Sequence, residues 1–119
     1  MLPKKNCLKK KKDIERVLKK GKTFKKEWLL MRVIRNKLNV SRFGIVVGKN
    51  FSKKAVLRNK IKRKIREAVQ MRLNEIKRGV DILLMVKKKG NSFKNEKNEN
   101  FLKVKNLVEG IFKKAKLIK

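Results

Sequence analysis

The chain has 119 residues, of which 39 are Lys or Arg and 9 are Asp or Glu, so its formal net charge is +30. Its length suits one compact domain, residues 1–119, and a hydrophobic content of 40% is too high for a disordered basic tail. The absence of His and the presence of a single Cys exclude His-based triads, His metal sites and intramolecular disulfides. We therefore expect a small domain whose charge serves a polyanion.

The charge also narrows the class of partner. Neutralising phosphates releases condensed counterions, so nucleic acid is the leading candidate and an anionic membrane surface is the rival. The longest apolar run, Ile82 to Val86, is too short to span a bilayer, and no secretory signal is recognisable at the N-terminus. A lone Cys7 fits a reducing compartment. We expect a cytoplasmic protein with no membrane partner.

The first half of the chain predicts one helix and three strands. Residues 1–12 are basic and predict a loose arm. Asp13 is a candidate N-cap for a first helix, and Gly21 is its predicted end. Alternating and β-branched residues then predict three strands: residues 22–26, 28–34 and 43–48.

The second half predicts a helix, a strand and a helix. Apolar residues at helical spacing run over residues 54–77, with Ser52 as a candidate N-cap and Gly79 as the end. Val80 to Val86 is almost entirely apolar, which is typical of a central strand covered on both faces. Residues 101–116 predict a closing amphipathic helix. The order α-β-β-β-α-β-α, with the helices expected on one side of a mixed sheet, favours the α+β class.

The helix over residues 54–77 carries the main functional signal. Its apolar residues share one arc, and five polar residues follow on the neighbouring arcs: Arg58, Asn59, Lys62, Arg63 and Arg66. This stripe is roughly 12 Å long, about two phosphate spacings of a single strand. Only Glu67 and Glu75 oppose the charge within this helix. Repeated cations without counter-charges weaken a helix, so the stripe indicates a binding face rather than an ordinary solvated face.

The letters of this helix resemble a family signature. Residues 58–67 read RNKIKRKIRE, which is similar to the RNRIKRxxRE of the bacterial ribonuclease P protein component. Residues 13–24, 43–49 and 81–87 and the closing helix also resemble that family, so the likeness covers nearly the whole chain. The resemblance implies a fold like the second domain of ribosomal protein S5: a four-stranded sheet, three helices and a left-handed β-α-β crossover.

The same resemblance implies the function. The family's protein is the subunit of an endoribonuclease whose catalytic RNA removes the 5′ leader of precursor tRNA. Hydrolysis relies on Mg²⁺ held mainly by the RNA, so we expect no catalytic residue and no metal site in the protein. The expected partners are the ribonuclease P RNA and precursor tRNA, and no DNA partner is expected.

The resemblance also implies two sets of site residues. The catalytic RNA is expected to contact Arg58, Asn59, Lys60, Lys62, Arg63 and Arg66. The leader is expected in a cleft lined by Ile14, Leu18, Phe24, Leu30, Arg32, Lys49 and Lys53.

This chain departs from the family's pattern at several of these positions. Lys60 stands where Arg is usual, and Ile14, Leu18 and Arg32 stand where aromatics are common. Such a cleft grips its leader more through charge and aliphatic contact than through stacking. Core packing is the alternative reading for Ile14, Leu18 and Phe24.

Two other functions share the same charge pattern. A structural RNA-binding protein, such as a ribosomal component, would co-purify with ribosomal RNA. An architectural DNA-binding protein would place the basic helix in a major groove and would prefer duplex DNA to structured RNA.

Overall fold

One four-stranded mixed sheet organises the fold. The computed structural model describes residues 6–27, 29–47, 54–86 and 101–117, with the side chains of the last range described from Val104 onward. The elements in chain order are α1 (Lys11–Lys20), β1 (Lys22–Lys26), β2 (Leu29–Arg35), β3 (Arg42–Val47), α2 (Ala55–Met71), a short 3-10 helix (Leu73–Glu75), β4 (Val80–Val86) and α3 (Phe101–Lys114). The predicted order of elements and the α+β class are confirmed.

The sheet places β4 at its centre, in the order β1-β2-β4-β3. β4 pairs antiparallel with β2 and parallel with β3. Six of its seven residues are buried, which confirms the prediction of a central strand covered on both faces. A parallel pair needs a crossover connection, and α2 lies in it. The left hand of that crossover stays a prediction.

The helices lie on both faces of the sheet, so the prediction that they share one side is wrong. α2 and α3 pack on the face that includes Ile82 and Leu84, in the main core. α1 packs on the opposite face, where its buried Val17 meets Leu83 and Leu8. The physical reason lies in β4, because consecutive apolar residues point to opposite faces and both faces need cover.

The N-terminal segment forms part of this second face. Leu8 is buried, and its N–H donates to the carbonyl of Phe43 at 2.8 Å. The side-chain amide of Asn6 donates to the carbonyl of Ser41 at 2.7 Å. The prediction of a loose arm is therefore wrong from Asn6 onward, because an apolar anchor and the free edge of β3 hold the segment. Residues 1–5 lie outside the described part of the chain.

The ends of the helices refine three predictions. α1 begins at Lys11, so Asp13 lies inside its first turn and does not cap it. Gly21 does end this helix, as predicted, and its N–H donates to the carbonyl of Val17 at 2.8 Å. The candidate cap Ser52 lies outside the described residues.

The C-terminal end of α2 comes earlier than predicted. The helix ends at Met71, and the short 3-10 helix Leu73–Glu75 follows it. Ile76 then buries its side chain in the main core, which bends the chain back toward the start of β4. Gly79 does not close the helix; its φ of +80° serves the turn into β4.

Arg72 ties the end of α2 to α3. Its guanidinium donates to Glu109 at 2.8 Å and to Glu75 at 2.7 Å. The hydrogen bond from Arg72 holds the pKa of Glu109 below its ordinary value, against the opposing effect of burial. The C-terminal halves of both helices are thereby fixed to each other over the main core. Among the helices of the described residues, none is long and apolar enough to cross a membrane.

Candidate RNA interface

The basic face of α2 is set by how the helix is buried. Ile61, Ile65, Ala68 and Val69 are buried and define its inward arc. At about 100° per residue, the polar candidates fall on the arcs beside and opposite this one. Arg58, Lys62 and Arg66 are half-buried along one flank, and Asn59, Lys60 and Arg63 are exposed. We call these six residues the basic face.

Most of the basic face is free of counter-charges from the described part of the chain. Among the described residues, no ion pair or side-chain hydrogen bond involves Lys60, Lys62, Arg63 or Arg66. The carboxylates that do pair lie elsewhere, on Arg42 and Arg72: Asp13, Asp81, Glu75, Glu109. These four cations therefore keep their field for an external anion.

The start of α2 adds to this field. No acidic residue occupies its first turn, and its N-cap, Lys54, makes no side-chain capping hydrogen bond. A helix N-terminus carries partial positive charge and normally favours Asp or Glu there. The start of α2 thus lacks the stabilising contact of an acidic side chain with the helix N-terminus, and its positive potential is higher as a result. A helix N-terminus with such a potential is suited to binding phosphate.

A second surface lies on the α1 side of the sheet. Leu30, Met85 and Val46 stand opposite one another in register across β2, β4 and β3. Val46 is 46% exposed, and Leu18 on α1 is 40% exposed. Leu30 and Met85 are half-buried. We call these four residues the apolar strip; such exposed apolar area next to cations suits the faces of unstacked bases.

The structure sorts the predicted cleft residues into three groups. Leu18, Leu30 and Arg32 lie on this face. Ile14 also lies here, half-buried, and like Met85 it packs against the small core formed by Leu8, Val17 and Leu83. Lys49 and Lys53 lie outside the described residues.

Phe24 belongs to the opposite face, so its prediction as a cleft residue is wrong. It pairs in register with Met31 and packs on the main core. Lys22 places its ammonium 5.5 Å from the centre of the Phe24 ring. The pairing register of β1 with β2 decides which way this ring points, and composition alone does not reveal that register.

Arg42 was missed by sequence reasoning and fixes α1 to the sheet. Its guanidinium donates twice to Asp81, at 2.8 and 2.7 Å, and once to Asp13 of α1, at 3.1 Å. Asn36 donates to the same Asp81 carboxylate at 2.8 Å. The hydrogen bonds to Asp81 raise the pKa of Arg42 above its ordinary value. This network joins α1 to β3 and β4.

Two further hydrogen bonds hold α1 in place. Arg32 donates to the carbonyl of Leu18, near the C-terminal end of α1. Arg16 donates to the carbonyl of Arg35 at the end of β2, at 2.5 Å. Arg32 therefore helps to hold the C-terminal end of α1 on β2, in addition to lying on the same face as Leu30.

Val46 and Met85 of the apolar strip were not singled out from the sequence. Part of their signal was present, because both are apolar residues of strands that the sequence predicts. What the sequence could not supply was the strand order that brings them together beside Leu30.

The described residues do not form a Mg²⁺ site. They contain no group of three potential metal-ligating side chains. Both oxygens of Asp81, the most buried carboxylate, already accept hydrogen bonds from Arg42. A hard cation needs several free oxygen ligands, and this donor set does not offer them.

The fold and its two surfaces define a basic α+β protein of the RNA-binding class. The family model Ribonuclease P matches residues 2–115. The ribonuclease P protein component of Dictyoglomus turgidum is 38% identical over 117 residues, covering 98% of this chain and 94% of that protein. The component from Clostridioides difficile is 38% identical over 105 residues, covering 86% and 88%.

A solved structure supports the same assignment. The Staphylococcus aureus RNase P protein superposes with a TM-score of 0.79 at 30% identity, covering 96% of this chain and 98% of that one. The chain belongs to the Ribonuclease P family, as a protein component of the endoribonuclease that processes the 5′ end of tRNA.

Substitutions at Arg42 and Arg63 should separate an effect on folding stability from an effect on RNA binding. Arg42→Met leaves the buried Asp81 carboxylate, which is 1% exposed, without its cation. We expect the free energy of unfolding to fall by about 3–5 kcal/mol in urea denaturation. Arg63→Met, at an exposed position, should change it by less than about 0.5 kcal/mol but weaken RNA binding. Equal loss of stability in both variants would contradict the structural role of Arg42.

Proposed function

We propose that this ribonuclease P protein component binds the ribonuclease P RNA through the basic face of α2 and the 5′ leader of precursor tRNA along the apolar strip. The observation that carries the proposal is the basic face itself. Its cations lie on an ordered helix, packed by one side against the main core, with the paired acids of the described residues placed elsewhere. Ordered Arg and Lys side chains in this arrangement suit the phosphates of a folded RNA.

The division of labour follows from the side chains available. Hydrolysis of the precursor would rely on Mg²⁺ held mainly by the RNA, which activates water and stabilises the leaving oxygen. The protein's own residues would bind and orient. The basic face would lower the repulsion between two RNAs, and the apolar strip would hold leader bases out of water.

The strip favours a leader gripped without strict sequence readout. Leu18, Leu30, Val46 and Met85 are aliphatic or thioether side chains, and their contacts with a base face are sequence-tolerant. Asn and Arg side chains would be needed to read base edges, and Arg32 already donates to the Leu18 carbonyl. We further propose that the protein acts in the cytoplasm, which its single Cys supports.

Reconstitution tests the proposal directly. The full chain, ribonuclease P RNA and a precursor tRNA should together release the leader at low Mg²⁺. The protein alone should release none, because it lacks His and its described side chains form no cluster of potential metal ligands. Gel separation of the leader from mature tRNA gives the readout. Cleavage by the protein without RNA, or no gain from adding protein to RNA, would refute the proposal.

The salt dependence of RNA binding tests the basic face. Arg66→Ala should weaken binding roughly tenfold at low salt, because a charge-assisted contact to phosphate is lost. The slope of log affinity against log salt should flatten by about one. Lys113→Ala is the matched control, since Lys113 is exposed on α3, away from the basic face. Equal slopes for both variants would mean that the RNA lies elsewhere.

The preference of the enzyme for precursor over mature tRNA tests the apolar strip. Val46→Glu puts a negative charge on the strip, which repels the leader backbone. We expect the ratio of affinities for precursor and mature tRNA to fall roughly tenfold in filter binding with reconstituted enzyme. Leu38→Glu is the control, because Leu38 is 47% exposed in the β2–β3 loop. A similar fall of the ratio in both variants would place the leader elsewhere.

A further inference from the structure

A cavity of about 580 Å³ lies at the end of the sheet where β3 and β4 begin. The β2–β3 loop lines it with Asn39 and Val40, and the 3-10 helix lines it with Leu73 and Asn74. The link from that helix to β4 supplies further lining, including Arg78. Its volume falls within the range of pockets that hold small molecules, about 300–1,000 Å³.

The cavity is distinct from the apolar strip. Ser41, which also lines it, precedes β3, whereas Val46 of the strip lies near the other end of that strand. At about 3.3 Å per residue, the two positions are roughly 16 Å apart. A ligand in the cavity would therefore leave the leader surface open.

The walls of the cavity are rigid. The buried amide of Asn6 donates to the carbonyl of Ser41, and the hydroxyl of Ser41 donates to the carbonyl of Lys77 at 2.5 Å. These bonds tie the N-terminal segment, the β2–β3 loop and the link to β4 together. The backbone around the cavity is thus held by the fold, so binding needs little backbone ordering.

Its polar side chains are available to a ligand. Within the described residues, the side chains of Asn39, Asn74 and Arg78 make no hydrogen bond or ion pair, and all three are exposed. Each Asn offers both donors and an acceptor, the combination that matches the edge of a nucleobase. Arg78 offers a planar donor set that suits phosphate.

The remaining lining fits the rest of a nucleotide. Ile76 is buried and Val40 and Leu73 are half-buried, so they present an apolar wall to a base face. No carboxylate is among the lining residues, and the exposed Lys37 and Lys77 stand in the adjoining segments. This set attracts anions and offers base-edge partners beside an apolar surface.

We propose that this cavity binds one unstacked nucleotide of a partner RNA. Together with the basic face, it would give the protein a second contact with RNA, one that reads a base. Only the identity of the RNA that supplies the nucleotide rests on the proposed function. The binding itself can be tested without that RNA.

NMR titration of the full chain tests the proposal. Each of the four ribonucleoside 5′-monophosphates is added to ¹⁵N-labelled protein, with inorganic phosphate as a separate arm. At least one nucleotide should shift the side-chain amide signals of Asn39 and Asn74 in a saturable way. The Asn39→Ala, Asn74→Ala double variant should bind that nucleotide at least about fivefold more weakly. Equal shifts with phosphate alone, or no saturable shift with any nucleotide, would overturn the proposal.

A pair of charge reversals separates the cavity from the general field. Arg78→Glu and Lys37→Glu change the net charge equally, and both positions are exposed at this end of the molecule. Of these two residues, only Arg78 lines the cavity. Arg78→Glu should abolish the shifts, whereas Lys37→Glu should change the affinity less than about twofold. Equal losses would overturn the proposal, and intact leader removal in reconstitution would then leave the proposed function standing.

Discussion

The need to cover β4 on both faces governs this structure. Its consecutive apolar residues send Ile82 and Leu84 to one side and Leu83 to the other. Two helices close the first side completely. On the second side, a single short helix and the N-terminal segment cover the end of the sheet near Leu83, and Met85 is left half-exposed. The apolar strip is the uncovered remainder of a core surface.

The placement of the acids explains how so basic a chain keeps a defined shape. Arg42 gathers Asp13 and Asp81 where α1 meets the sheet, and Arg72 gathers two Glu residues where α2 meets α3. Carboxylates placed at junctions strengthen the fold without neutralising the basic face. The remaining self-repulsion is relieved when an RNA binds, so RNA binding and folding stability are thermodynamically linked.

Periodicity along the sequence predicts most of the elements, because spacing of apolar residues reports which side of an element is buried. The bounds of β1 and β4 follow from it directly, and so do five of the six residues of the basic face; Lys60 was expected from the family resemblance. It does not say which face of the sheet a helix covers, so the position of α1 was missed. Phe24 was misassigned for a related reason, since only the register with β2 decides its direction. Arg42 gave no pattern at all, because its partners are 29 and 39 residues away.

The attachment of α1 has a consequence for which of its side chains can change in the course of evolution. Val17 is its buried residue and Ile14 packs beside it. The rest of its hold on the sheet comes from polar contacts to Asp13 and to the Leu18 and Arg35 carbonyls. Outward positions such as Leu18 can therefore exchange aliphatic for aromatic side chains with little penalty to folding. Natural selection can vary the outward surface of α1 while the scaffold beneath it stays the same.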